Sequence, residues 1–242
     1  MRNNVQKIQL NANQLKMIAI IAMLFDHFMA LFADHGTMTG IVFRIPGRIV
    51  APIMCFFIAE GYYYTSNRGK YVLRLFLFAL ISHIPYVLCF RYNFFQATSV
   101  IWGLMLGLIA LTAVKEKRLH PVVKIMILGI CCALAVTANW NYVAVLWIVG
   151  FGIYHNRFKQ QMIAFSIIGI VFHIIPTFIN FGWAHEGYPH WYQFGIFLAI
   201  PLLALYNGKR GKKSKAVSWF FYIFYPMHLI ILFILKEITL RF

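Results

Sequence analysis

Carboxylates are scarce in this chain. Six Asp and Glu stand against 22 Lys and Arg among 242 residues, and charged residues of both signs make up only 12%. A soluble domain carries about 25% charged residues, so the shortage excludes an ordinary soluble domain. The four cysteines, Cys55, Cys89, Cys131 and Cys132, lie in apolar runs without metal-type spacing. They read as reduced packing residues, and no metal is expected. Linkers, low-complexity stretches and internal repeats are also missing, so a single domain over 1–242 is expected. A cleavable signal peptide is not evident. The first apolar run starts near Leu15, lacks a small-residue cleavage site and reads as a retained helix.

What is present is apolar. Hydrophobic residues make up 62% and aromatics 18%, with a mean hydropathy of +0.73. The expected fold class is therefore all-α, a polytopic transmembrane helical bundle in the cell membrane. Nine spans are expected, near 15–33, 49–64, 71–90, 99–115, 121–137, 141–155, 160–180, 191–206 and 217–236. The loops between them separate by charge. One set holds Arg2 and Lys7; Arg68, Lys70 and Arg74; Lys115, Lys117 and Arg118; Arg157 and Lys159; and Lys209, Arg210, Lys212, Lys213 and Lys215. The alternate set holds only Arg44, Arg48, Arg91, Lys236 and Arg241. The positive-inside rule then predicts a cytoplasmic N-terminus and an exterior C-terminus. The net charge of +16 follows from the same loops, so nucleic acid is not an expected partner; the lipid bilayer is.

Against this background the stretch MLFDHFMALF (23–32) is unexpected, because Asp26 and His27 interrupt an apolar run. Glu60 lies past the middle of the second expected span, Ser82 and His83 in the third, and Tyr225, Pro226 and His228 in the ninth. These positions are expected to share one layer. An Asp at mid-membrane costs about 2.5–3.5 kcal/mol on an insertion scale, so a polar cavity with a function is the default reading. A structural hydrogen-bond network between helices is the alternative.

Lys16 precedes His27 by eleven residues. That is close to three helical turns, so both project from one face, about 16 Å apart along the axis. A basic anchor near the surface with an imidazole deep in the bundle suits a long anionic cofactor. Lys16 taken alone also reads as a helix-end lysine reaching for the interface. Arg44 and Arg48 flank Pro46 and Gly47 on the side where basic residues are few. They suggest an acidic partner, either Asp26 or an anionic acceptor. The segment with His185, Glu186, His190 and Trp191 matches no metal motif.

LKMIAIIAMLFDH (15–27), RIPGRIVAPIMCFFIAEGYYYT (44–65), NRGKYVLRLFLFALISHIPY (67–86), LYNGKRG (205–211) and FYIFYPMHL (221–229) resemble the TraX family. That family comprises integral membrane acetyltransferases named for acetylating conjugative pilin at its N-terminus. The resemblance is weak over about 95–190. The chain is also similar to the wider group of membrane O-acyltransferases, which carry a basic residue, ten intervening residues and a histidine, as Lys16 and His27 do. Their Phe-Phe-x-x-Ser-Gly-Phe stretch is similar to residues 56–62, with Glu60 in place of serine. Arg74 and Pro85 resemble the start of their third span. Asn141 stands where the TraX family has an acidic residue, and no catalytic role is assigned to it.

The resemblance implies acetyl-CoA as donor and an acceptor amine or hydroxyl on a peptide, glycan or small molecule. His27 is the expected general base, because imidazole titrates near neutral pH. Asp26 and Glu60 are the expected orienting carboxylates. Adjacent helical residues point about 100° apart, so Asp26 is free to pair with Arg44 or Arg48 instead of His27. Lys16, Arg68, Lys70, Arg74, Asn207, Lys209 and Arg210 are expected around the donor phosphates. Arg44, Arg48, His83 and His228 are expected around the acceptor. A transporter or proton-coupled carrier remains the alternative, since charges at mid-membrane also mark ion paths, although it would favour repeats or broken helices that are not evident.

Overall fold

The computed structural model describes residues 8–33, 38–182, 184–185, 188–212 and 214–239. Arg2, Lys7, Glu186, Lys213 and Arg241 lie outside the described residues, as do the side chains of His185 and Lys215.

Each expected span coincides with a helical segment. The first is α1 (Ala12–Phe32), opened by a capping box in which the Asn11 and Gln14 side chains accept from each other's backbone N–H. The second combines α2 (Met38–Arg44), a 3-10 turn (Pro46–Ile49) and α3 (Val50–Tyr64). Then follow α4 (Arg68–Phe90), α5 (Val100–Lys115), α6 (Pro121–Leu134) and α7 (Asn141–Ile153). The seventh runs through α8 (Phe158–Gly169), a π-helical turn (Ile170–Ile174) and α9 (Ile175–Phe181). The eighth is a 3-10 stretch (His190–Leu198) continued by α10 (Ala199–Ala204), and the ninth is α11 (Lys215–Thr239). Two short strands, β1 (Ala184–His185) and β2 (Tyr188–Pro189), pair antiparallel before the eighth.

Five of these segments are long and apolar enough to cross a membrane: Ala12–Phe32, Gly40–Tyr64, Arg68–Phe90, Phe158–Asn180 and Ala216–Thr239. The other four are shorter apolar helices of 10–17 residues. One expectation is corrected here. Arg44 and Arg48 are not loop residues, because the helical path of the second segment starts before them. Their charges read as a loop in the sequence; in the fold a buried carboxylate meets them, as described below.

The short helices α5 and α7 pack on each other and on α3 at the centre. Gly107 and Gly152 make this possible. A Cβ on Gly107 would strike Ile148, and one on Gly152 would strike Leu111. Such close backbone approach through small residues is the usual glue of helices in lipid. Trp147, Phe151 and Phe165 are fully buried here. The outer helices α4, α6, α8 and α11 instead present exposed Leu, Ile, Val and Phe, such as Leu80, Ile125, Ile167 and Ile231. That surface suits lipid and would be a liability in water.

The π-helical turn has a local cause. Pro176 lacks an N–H, and its ring would crowd the carbonyl four residues back. The widened turn relieves the crowding, and the Thr177 hydroxyl donates to the His173 carbonyl at 2.7 Å.

Candidate active site

The central cavity, about 240 Å³, lies between α1, α3, α4, α5 and α11. Its middle wall is apolar, with Ile20, Met23, Met54, Phe57, Leu75 and Leu104. Its two ends differ in chemistry, and the side chains at each end follow from how the helices run.

At one end Asp26 receives both arginines. Arg48 donates through Nη2 to both carboxylate oxygens at 3.2 and 2.9 Å. Arg44 Nε donates to Oδ1 at 3.3 Å. Asp26 is 7% exposed, and such an ion is tolerated in a nonpolar site only when paired and hydrogen-bonded. Gly47 makes the approach possible, since a Cβ there would strike the Asp26 side chain. The Arg48 guanidinium lies over the rings of Trp140 and Tyr192, at 5.3 and 5.4 Å. Gln193 lies 3.5 Å from Arg48 Nη1 and 3.1 Å from His173 Nε2.

Beside this cluster His27 lines the cavity. Its Nδ1 lies 2.9 Å from Nε2 of His228 on α11. Phe90 meets the His27 ring edge-on at 5.3 Å. Tyr225 also lines this end, one turn before His228.

The other end is basic. Lys16, Arg74, Arg210 and Lys212 line it together with Tyr71 and Tyr222. Lys16 Nζ lies over the rings of Phe57 and Phe221 at 5.1 and 5.7 Å. Arg74 lies 5.5 Å from both the Tyr71 and the Tyr222 ring. Arg210 donates to the Ser218 hydroxyl at 2.9 Å. The loop that carries Arg210 is docked by backbone bonds on the start of α1: Leu10 N–H to the Leu205 carbonyl, Ala12 N–H to that of Lys209, and Asn13 N–H to that of Arg210. Gly208 and Gly211 adopt left-handed backbone within it, with φ of 72° and 87°. The Asn207 side chain accepts from the Lys209 N–H and sets the turn.

A second cavity, about 600 Å³, adjoins at this basic end. Lys16, Phe57, Tyr71, Arg74, Arg210 and Tyr222 line both. Glu60 belongs to this second wall. Its Oε1 lies 3.2 Å from His155 Nε2, and the His155 ring is stacked on Tyr63 at 3.7 Å.

The expected single layer is thereby corrected. Asp26, His27, Tyr225 and His228 come together, but Glu60 lies at the basic end with Ala12 and Lys16. The reason is that α3 starts beside Asp26 and runs back along α1, so its last turns return to the level where α1 begins. His83 is outside both walls; its Nε2 is 2.9 Å from the Phe94 carbonyl oxygen, which satisfies it locally. Of the expected phosphate residues, Lys16, Arg74 and Arg210 line the cavity, while Arg68, Lys70, Asn207 and Lys209 do not. Arg68 lies over the Tyr62 ring at 4.2 Å instead. Sequence reasoning passed over Asn13, Tyr71, Lys212 and Tyr222 as cavity residues. Three of them carry a helical signal. Asn13, Tyr71 and Tyr222 each precede a noted residue, Lys16, Arg74 and Tyr225, by three positions, and so share its face.

Among the described residues no group of three or more His, Cys, Asp or Glu side chains is placed to hold a metal ion. No solved structure matches this chain. A protein of Dichelobacter nodosus named "Probable fimbrial assembly protein FimC, serogroup H1" is 29% identical over 94% of this chain and 96% of its own length. The family model described as TraX protein matches residues 11–236, from the N-cap of α1 into the last turns of α11 and across both walls of the cavity. The chain belongs to the TraX family.

Proposed function

We propose that this protein is a multi-pass cell-membrane acetyltransferase that takes acetyl from acetyl-CoA. The observation that carries the reading is one cavity with cations at one end, apolar walls along its length and His27 at the other end. A polyanionic head group fits the cations, a thin flexible arm fits the apolar middle, and a thioester at its tip reaches the imidazole. Lys16 and His27 on one face of α1 set that reach at about 16 Å.

In this reading the basic end faces the cytoplasm, where the donor is made, and all nine helical segments lie within the bilayer. Lys16, Arg74, Arg210 and Lys212 hold the phosphates. His27 takes a proton from the acceptor's hydroxyl or neutral amine as its oxygen or nitrogen bonds to the thioester carbonyl carbon. The tetrahedral adduct collapses with cleavage of the C–S bond. The CoA thiolate leaves and takes the proton back from the imidazolium. The name of the Dichelobacter relative refers to fimbrial assembly, which favours a subunit of a surface filament as acceptor, at its N-terminal amine or a side-chain hydroxyl. Arg48, held by Asp26, lines the wall the acceptor meets, and Arg44, outside that lining, supports the same carboxylate.

Acetyl-CoA binding to the purified protein in detergent tests this, with plain CoA and a His27→Ala variant alongside. The expected result is micromolar binding of both nucleotides, with slow thioester hydrolysis that the variant loses. Absence of binding in a folded sample would overturn the reading and leave a proton-coupled carrier to account for the buried charges.

A further inference from the structure

His27 has two ring nitrogens, and only one of them can act as the base. Taking His27 as that base, we infer that His228 is a positioning residue that fixes the His27 tautomer and leaves the lone pair on Nε2.

The inference follows from a chain of hydrogen bonds with a fixed end. His228 Nδ1 lies 2.9 Å from the carbonyl oxygen of Phe224, one turn earlier in α11. A carbonyl oxygen only accepts, so His228 Nδ1 carries the proton. In a neutral imidazole the other nitrogen, Nε2, is then an acceptor. That Nε2 is the atom 2.9 Å from His27 Nδ1, so His27 Nδ1 is the donor. Nε2 of His27 is left unprotonated, on a ring that lines the cavity. The carbonyl of Phe224 thus sets, through His228, the proton position on His27, which is 201 positions from His228 in sequence.

The argument requires a neutral pair, and the surroundings supply one. The charged groups facing it are Asp26, Arg44 and Arg48, two guanidiniums on one carboxylate. That cluster already carries a net positive charge, and a protonated imidazole would add a second in a site where His27 is 7% and His228 2% exposed. Among the described residues Tyr225 is a further titratable side chain in ring contact with the pair, edge-on to His228 at 5.4 Å. It is a neutral phenol. Ring contacts hold the geometry. His228 is stacked on Phe224 at 5.0 Å, and Phe90 meets His27 edge-on. Turning either imidazole over would put carbon where a ring nitrogen now meets its partner and break the 2.9 Å contacts to His228 Nε2 or to the Phe224 carbonyl.

Nitrogen-15 NMR of histidine-labelled protein in detergent reads the tautomer directly, with His27→Gln and His228→Gln used to assign the pair. The expected wild-type spectrum has His27 protonated at Nδ1 and bare at Nε2. Turnover is measured alongside. His228→Leu removes the acceptor, so kcat should fall about 100-fold, within the range a general base contributes, with KM for acetyl-CoA unchanged. His228→Gln keeps a carbonyl acceptor and should recover most of that loss. A proton on His27 Nε2 in the wild type, or a His228→Leu variant with wild-type kcat, would overturn the inference. If His228→Leu does not fold, the wild-type spectrum alone decides. A wild-type protein that moves no acetyl group yet has the Nδ1–H tautomer would remove the acetyltransferase reading while leaving the His228 pairing supported.

Discussion

Asp26 is the carboxylate shared by two guanidiniums, and its loss leaves both without a counter-ion. Arg48 and Asp26 side chains are 12% and 10% exposed, Arg44 is 24%. Breaking a buried pair costs about 3–5 kcal/mol. Asp26→Ala should therefore destabilise the protein by about that amount, Arg48→Gln by less because Arg44 still meets the carboxylate, and Arg44→Gln by about 1 kcal/mol, as for a half-exposed pair. Thermal unfolding in detergent checks the order, and an unchanged Asp26→Ala midpoint would mean the cluster adds nothing. Lys16 tests the other end. Lys16→Ala should raise the acetyl-CoA Kd about 10-fold or more, the weight of a charge-assisted contact, and leave turnover at saturation nearly unchanged. An unchanged Kd in a calorimetric titration would refute the anchor. Much at this scale was legible in the sequence. Asp26 and His27 stood out because nothing around them is polar, and Arg44 and Arg48 because they oppose the charge rule. The His27–His228 contact was not, since no periodicity links positions on the first and last helices. Glu60 was misplaced for a related reason. Its depth was judged along its own helix, while its level relative to His27 depends on how α3 lies against α1.

The element that joins the proposed donor site to the scaffold is the loop from Leu205 to Gly211. Its backbone bonds to the start of α1 fix Arg210 relative to Lys16. Gly208 and Gly211 differ in a way that can be tested. Both have left-handed φ, but a Cβ on Gly208 would meet open space, whereas one on Gly211 would press on the Asn11 side chain that caps α1. Gly208→Ala should cost about 1–2 kcal/mol of loop strain and little donor affinity. Gly211→Ala adds the clash, displaces the loop or the cap, and should weaken acetyl-CoA binding well beyond Gly208→Ala. Equal binding by the two variants would separate the loop's docking from donor affinity. The sequence marked this loop by its glycines and cations. Which cations turn toward the cavity depends on the α1 contact, which only the fold supplies. Helix positions were likewise legible from apolar runs. The 3-10 turn at Pro46–Ile49 was not, because a proline–glycine pair between arginines reads equally well as a loop.

For the whole molecule, orientation decides which end of the cavity faces the cytoplasm. Five segments have the length and apolarity to cross a membrane, and the four shorter ones include α5 and α7, packed together at the centre. A short helix surrounded by protein need not match the bilayer thickness by itself, so five is the number of crossings that length alone supports. Charge gives an independent handle. Lys117, between α5 and α6, is exposed in a loop with Lys115 and Arg118 near it, and Phe95, between α4 and α5, is 86% exposed with Arg91 nearby. The native cysteines suit a labelling experiment, since Cys55, Cys89 and Cys131 are buried and Cys132 is half-buried. With N-terminus inside, Phe95→Cys should react with a membrane-impermeant maleimide on intact cells, and Lys117→Cys only after permeabilisation. Labelling of both from one side would show that α5 does not cross. Reversed labelling would put the Lys16 and Arg210 end outside, away from the cytoplasmic acetyl-CoA pool, and the donor assignment would fail with it.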